Sequence, residues 1–289
     1  MKQTSQNTRL IFTVLAVAIG LFLIAASPFI VQTSLERVLN ELLIVSKDQP
    51  QYSSGIALFS LLYPLWRAVG FVAGITLLVI SPSIYKGDEW TFPVSLLLYA
   101  VPAISGMFMF LPYISFVGGF PLPMVISWVG LVGYWGTILL QNVERAQKIA
   151  WFLVLTLVGV LATHAFVIGV GAQRMLITRV DKPLFAGMEW WILTLSGEVN
   201  WIGVLLLIVS IPFIAMQKAT GWRLALVAAA SILVINVPTQ IIRTKTLDYL
   251  YGALIALVLL ISLNLPVFKT WLVKEKRLSQ FNAAASSES

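Results

Sequence analysis

Residues 149–172 read IAWFLVLTLVGVLATHAFVIGVGA, and their only ionisable side chain is His164. About 20 apolar residues in a helix cross the ~30 Å hydrocarbon core of a bilayer. In that medium each backbone N–H and C=O must be satisfied internally, which leaves helices or closed barrels. Barrel strands alternate apolar and polar over short segments; this stretch does not alternate. It predicts a transmembrane helix. Comparable runs occupy 10–31, 57–82, 93–117, 120–141, 193–216, 224–242 and 247–267. The predicted fold is all-α: a polytopic integral membrane protein of about eight transmembrane helices.

The rest of the composition agrees. Of 289 residues, 59% are hydrophobic and only 11% charged, with a mean hydropathy of +0.91. A soluble domain carries roughly twice that share of charge. So few charges could not cover a water-facing surface, so lipid is the expected solvent and the lipid bilayer the first partner. The net charge of +7 does not indicate nucleic acid, because the basic residues sit at helix ends and form no stripe.

The first run could be a signal peptide. Lys2 and Arg9 form a basic start, and Ala25-Ala26-Ser27 is the best small-residue site. Pro28 would hinder cleavage there, and the apolar stretch is longer than such peptides use. An uncleaved first helix is expected.

With the N-terminus inside, the inner segments hold eleven basic against five acidic residues, and the outer ones seven against six. The excess of Lys and Arg falls on the inner side, as the positive-inside rule requires. An even helix count then places both termini in the cytoplasm and the chain in the cell membrane. Trp90, Trp151, Trp222 and Trp271 each lie within four residues of an inner lysine, where amphipathic rings favour the interface.

Two outer segments are long. Residues 33–47 place Leu35, Val38, Leu39, Leu42 and Val45 at helical spacing, and Thr33 with Glu36 fits a capping box. A short helix lying on the outer surface is expected there, ending before Pro50. Residues 173–192 form the second. The polar tail 278–289 is expected to be disordered and cytoplasmic, after one transmembrane domain over 1–277.

The order of loops fits two copies of a four-helix unit, 1–146 and 147–277. The inner loops share Lys-x-x-x-Trp, at Lys86 to Trp90 and Lys218 to Trp222. Four helices per copy would make the repeats parallel, a 4+4 arrangement.

Arg67 and Glu198 are the charges that fall inside apolar runs. Such residues usually face a protein interior or water. At 1.5 Å per residue, Arg67 lies about 28 Å from Lys86, Glu198 about 30 Å from Lys218 and His164 about 24 Å from Lys148. All three belong to the outer part of the bilayer. Arg67 and Glu198 could form an ion pair; Arg67 could instead snorkel to outer headgroups. His164 could titrate or bind a ligand, or simply pack and hydrogen-bond. Arg67, His164, Glu198 and Asn200 form the candidate polar site, a pocket open to the outer side. Asn236, Pro238, Thr239 and Gln240 predict a kink. Pro102 and Pro112 predict a bent helix, and Gly130, Gly133 and Gly136 close helix packing.

The chain has no cysteine and a single histidine, which removes thiolate chemistry and multi-histidine metal sites. No phosphate-binding loop, dinucleotide fingerprint, zinc-protease or serine-hydrolase motif occurs. No cofactor or metal is implied, and no catalytic residue can be assigned. Three functions fit these features. The first is a transporter or permease-like protein with an outward-facing pocket for a small-molecule substrate. The second is a non-catalytic subunit of a membrane complex. The third is a lipid-modifying enzyme using His164 or Glu198.

Overall fold

A computed structural model describes residues 5–178, 187–243 and 246–274; among them there is no strand. The helices are α1 (Gln6–Ala25), α2 (Ser27–Asp48), α3 (Ser53–Lys86), α4 (Thr91–Phe116), α5 (Leu122–Leu139), α6 (Arg145–Thr178), α7 (Met188–Ala215), α8 (Ala219–Ile242), α9 (Asp248–Asn264) and α10 (Pro266–Leu272). Seven are long and apolar enough to cross a membrane: α1 and α3 to α8. α9 and α10, bent by 75° between them, reach the same length and hydropathy only as a pair, which gives seven to eight apolar segments of membrane-crossing length among the described residues. These lengths fit a polytopic membrane protein. The tail 278–289 and most of the loop between α6 and α7 lie outside the described residues.

From α3 to α9 successive helices pack antiparallel, whereas α1 and α2 run in the same direction. One end of the bundle collects Arg9, Lys86, Lys148, Lys218 and Lys269 and is called the basic end here. Arg9 Nη1 donates to the Lys86 carbonyl at 3.2 Å, joining the start of α1 to the end of α3. Gly87 then stops α3 in the left-handed conformation, φ 81°, which an L side chain rarely adopts. Lys269 lies 4.1 Å from the Trp222 ring centroid, and the Trp222 indole donates to the Leu263 carbonyl at 2.8 Å. The Trp of the second Lys-x-x-x-Trp thus anchors α8 to α9 and α10.

Residues 33–47 are helical, but they do not form a separate helix across the outer face. α2 starts at Ser27, with Pro28 in its first turn, and continues the course of α1 past Ala26. Proline suits a first turn because its missing N–H would be unpaired there anyway. Thr33 and Glu36 therefore fall inside the helix, and Glu36 accepts from Gln32 at 2.8 Å instead of capping. Val31, Leu35, Val38 and Leu42 are buried. α1 and α2 together run antiparallel along α3: Gly20 meets Gly74, and Leu42 meets Gly55. A Cβ on Gly20 would lie 2.9 Å from the Gly74 carbonyl oxygen, so the two backbones touch.

α3 and α6 each have 34 residues, about 51 Å of helix. A bilayer core is ~30 Å thick. Both helices are longer than that core by about 20 Å.

α4 runs unbroken with Pro102 and Pro112 inside it. It packs tightly on α5, where Gly130 sits against the Ala103 backbone and Gly106 against the Ser127 backbone. Gly133 faces Tyr99 and Ile19, and Gly136 touches Leu15. The predicted packing role of these glycines holds. At the centre, Phe166 makes edge-on contacts with Phe108 and Trp201, both at 4.7 Å, and Trp66 at 5.4 Å. Four helices, α3, α4, α6 and α7, meet on that ring.

Candidate functional site

The four residues singled out from the sequence do not share one pocket. Arg67 is half-buried on α3 and its Nη1 donates to Gln32 Oε1 at 2.6 Å. Gln32 in turn donates to Glu36, so the cation is satisfied by α2. The proposed Arg67–Glu198 pair does not form, and Glu198 is exposed on α7. Asn200 is fully buried; its Nδ2 donates to the Ser196 carbonyl at 2.8 Å and to Asn236 Oδ1 at 2.9 Å. It ties α7 to α8. Of the four, only His164 lines the cavity between α4, α5 and α6.

That cavity is a groove of about 1010 Å³ between α4 and α5 on one wall and α6 on the other, with the start of α9 at its far end. Pockets for drug-sized molecules span roughly 300–1,000 Å³, so this one is at the upper limit. At the end nearer the basic side, α5 and α6 are held together by two side-chain hydrogen bonds. Tyr134 Oη donates to the Leu155 carbonyl at 3.2 Å, and Trp135 Nε1 to Thr156 Oγ1 at 3.1 Å. Those contacts close the groove's lower end.

The α6 wall is a single stripe. Thr156, Val160, Thr163, Val167, Gly171 and Arg174 follow at spacings of three or four, which places them on one helix face. From Thr156 to Arg174 the stripe covers about 27 Å. Opposite it stand Ile104, Phe108, Leu111 and Leu131, all apolar. His164 lies between the two ends, and its Nδ1 is buried with no hydrogen-bond partner among the described residues.

The far end differs in chemistry. Arg174, Arg243, Thr246, Asp248 and Tyr249 line it. Arg174 lies about 39 Å from Lys148 along α6, more than the ~30 Å thickness of a bilayer's hydrocarbon core. Its guanidinium is 5.2 Å from the Tyr52 ring centroid. Arg243 closes α8 and is only 12% exposed; its Nη1 is 3.6 Å from Glu189 Oε1 and its Nη2 contacts Met175 Sδ at 3.1 Å. Gln240 holds the adjoining turn, donating to the Thr246 carbonyl at 2.7 Å and accepting from the Leu250 N–H at 2.9 Å. It thereby caps α9 and fixes Asp248 beside the mouth.

The polar residues around Pro238 are thus committed to structure. Asn236 receives Asn200, Thr239 Oγ1 donates to the Ile235 carbonyl at 2.6 Å, and Gln240 caps α9. Arg174 and Arg243 went unrecognised in the sequence because each sits at a helix end, where a basic residue has an ordinary topological reason to be. The spacing of Thr156, Thr163, Gly171 and Arg174 on one face of α6 is the signal that could have pointed to Arg174.

Among the described residues no three His, Asp or Glu side chains gather as metal ligands. No hydrogen bond or ion pair joins His164 to Glu198 there; Glu198 follows Gly197, which stands level with Ala172, two turns beyond His164. No protein-family model, curated protein or solved structure matches the chain.

Proposed function

We propose that the protein is a transporter of the permease type that takes an amphiphile out of the bilayer into the groove along α6. The observation that carries this reading is the groove's profile: about 27 Å of apolar wall ending in a cluster of charged residues. Along most of that length a compact polar solute would meet only scattered groups such as Thr156, Thr163 and His164. A molecule with a long hydrocarbon part and one polar end would match it throughout. The mouth lies on the side that the distribution of Lys and Arg assigns to the exterior, with both termini cytoplasmic.

A 4+4 arrangement fits the same reading. The pairs α1 with α3, α4 with α5 and α1 with α5 have counterparts in α6 with α7, α8 with α9 and α6 with α9. The groove follows the seam between the two sets, where transporters built from repeats place their substrates. Catalysis has less support, since the acid–base couple it would need is not assembled.

The absence of cysteine makes a direct test simple. Thr163→Cys places one thiol on the groove wall and Val79→Cys one on an exposed face, where Val79 is 72% exposed. In neutral detergent, a long-chain amphiphile should slow maleimide labelling of the first thiol at least about fivefold, close to 1 kcal/mol of occupancy, and leave the second unchanged. Equal rates at both positions would rule the reading out.

A further inference from the structure

His164 is the one ionisable side chain of α6 between Lys148 and Arg174, and it lines the apolar part of the groove. It lies about 12 Å along the helix from Thr156 at the closed end and about 15 Å from Arg174 at the mouth. Nothing in the chain holds it charged. Its Nδ1 is buried without a hydrogen-bond partner, and no carboxylate forms an ion pair with it, among the described residues. The threonines on its face are already engaged: Thr163 donates to the Gly159 carbonyl at 2.9 Å, and Thr156 accepts from Trp135.

The titratable and charged groups that line the groove stand at its two ends. α4 contributes none. α5 contributes Tyr134 at the closed end, and Tyr52 precedes α3 near the mouth. Arg174 ends the α6 face, Arg243 follows α8, and α9 contributes Asp248 and Tyr249. Asp248 is the charge that acts on His164 across the groove. The other helices packed on α6 direct their charges elsewhere: Arg67 of α3 is bound to Gln32, Glu198 of α7 is exposed, and Lys269 of α10 lies over Trp222.

Water in the groove hydrates the imidazole in either protonation state. A hydrocarbon chain in the groove displaces that water. An ion in apolar surroundings without a partner is far more costly than the neutral group, and Asp248 gives the ring no hydrogen bond. The chain therefore fits beside imidazole and not beside imidazolium.

Building on the amphiphile reading, we propose that His164 is a proton-binding site that competes with the ligand's hydrocarbon chain. The groove holds either the chain and a neutral ring, or water and a protonated one. The proton comes from water at the mouth, adds to a ring nitrogen, and returns to that water when a chain enters. The two affinities are reciprocally linked, so the protein exchanges protons for amphiphile.

His164 is the single histidine of the chain, so the full chain without a histidine tag gives one imidazole signal by NMR. Monoolein, which has an uncharged head, is the probe, in neutral detergent. At saturation it should lower the titration midpoint of that signal by at least about one pH unit, a tenfold difference in affinity between the two forms. In the chain carrying Thr163→Cys, the half-protecting concentration of monoolein should rise at least about tenfold between about pH 8 and pH 5. Val79→Cys at each pH corrects for the thiol's own ionisation. Adding His164→Gln should abolish the rise and keep the protection; if that variant does not fold, the NMR titration of the unaltered chain decides. Equal midpoints with and without monoolein, where monoolein does protect the Thr163→Cys thiol, overturn the proton site and leave the amphiphile reading standing. A signal that does not titrate without monoolein has the same meaning. Absence of protection at every pH overturns the amphiphile reading, and the proton site with it.

Discussion

Asn200 on α7 donates its Nδ2 hydrogen to Asn236 Oδ1 on α8 at 2.9 Å, and both side chains are fully buried. In a region without water this hydrogen bond has no solvent to compete with it. Its net contribution is still small, because a helix loosened within lipid finds other partners. Interhelical hydrogen bonds in membranes average about 0.6 kcal/mol by double-mutant cycle. A cycle of Asn200→Ala and Asn236→Ala, read by unfolding in detergent, should give a coupling of about that size. Each single variant should lose about 1–2 kcal/mol, since the remaining amide is stranded. Additive losses would remove the pair from the account of α7–α8 packing.

Glycine sets the distance between α4 and α5. Gly130 lies against the Ala103 backbone, so Gly130→Ala forces the helices apart. A loss of about 1–3 kcal/mol is expected, the usual cost of overpacking. Gly70 on α3 has nothing within 4 Å of an added Cβ. Gly70→Ala should be neutral or raise stability by up to about 1 kcal/mol through helix propensity. Thermal unfolding of the two variants side by side in one detergent checks both signs. A Gly130 variant as stable as the Gly70 variant would contradict the close contact.

Arg67 is held by a hydrogen bond to Gln32, with no ion pair to Glu198. Glu198→Gln should leave the melting temperature unchanged. Arg67→Ala should lower stability by about 1 kcal/mol, the net value of one hydrogen bond. Exchanging the two residues, as Arg67→Gln with Gln32→Arg, should recover what the single Arg67→Gln change loses. A melting-temperature drop in Glu198→Gln matching that of Arg67→Ala would reinstate the ion pair.

Tyr113 is 1% exposed, and its hydroxyl accepts from Arg37 Nη1 at 2.8 Å. This bond fastens α2 to the far end of α4. Tyr113→Phe keeps the ring and removes the oxygen, so about 1 kcal/mol should be lost. The effect should concentrate in α2. Hydrogen exchange over residues 33–47 should accelerate in the variant, while exchange in α7 and α8 stays as before. Uniform acceleration across the bundle would mean that the bond is not a local fastening.

Much of this architecture is legible in the sequence because the signals are local. Length and hydropathy define the spans, and the 20-residue requirement leaves little freedom in placing them. Gly130 and Gly133 announce packing because small residues repeat on one face. Relationships between distant segments are not legible in this way. Arg67 and Gln32 lie 35 residues apart, and depth estimates assign both Glu198 and Gln32 to the same level as Arg67 without choosing between them. Depth also grouped His164 with Asn200, although one faces a groove and the other the interior of a helix pair. The rotation of each helix about its axis decides such questions, and that rotation is a product of tertiary packing. α2 shows a different cause: its apolar spacing was correct, but Pro28 was read as a barrier to cleavage and not as the first turn of a helix.

The length of α3 and α6 bears on which membrane suits this protein. Where hydrophobic segments and bilayer differ in thickness, the mismatch costs a fraction of a kilocalorie per ångström. In a thin bilayer Arg174 and Arg243 would stand clear of the phosphates, and in a thick one they would sink among the acyl tails. The depth at which Arg174 would meet a bilayer of given thickness follows from how far it stands from Lys148 along one unbroken helix.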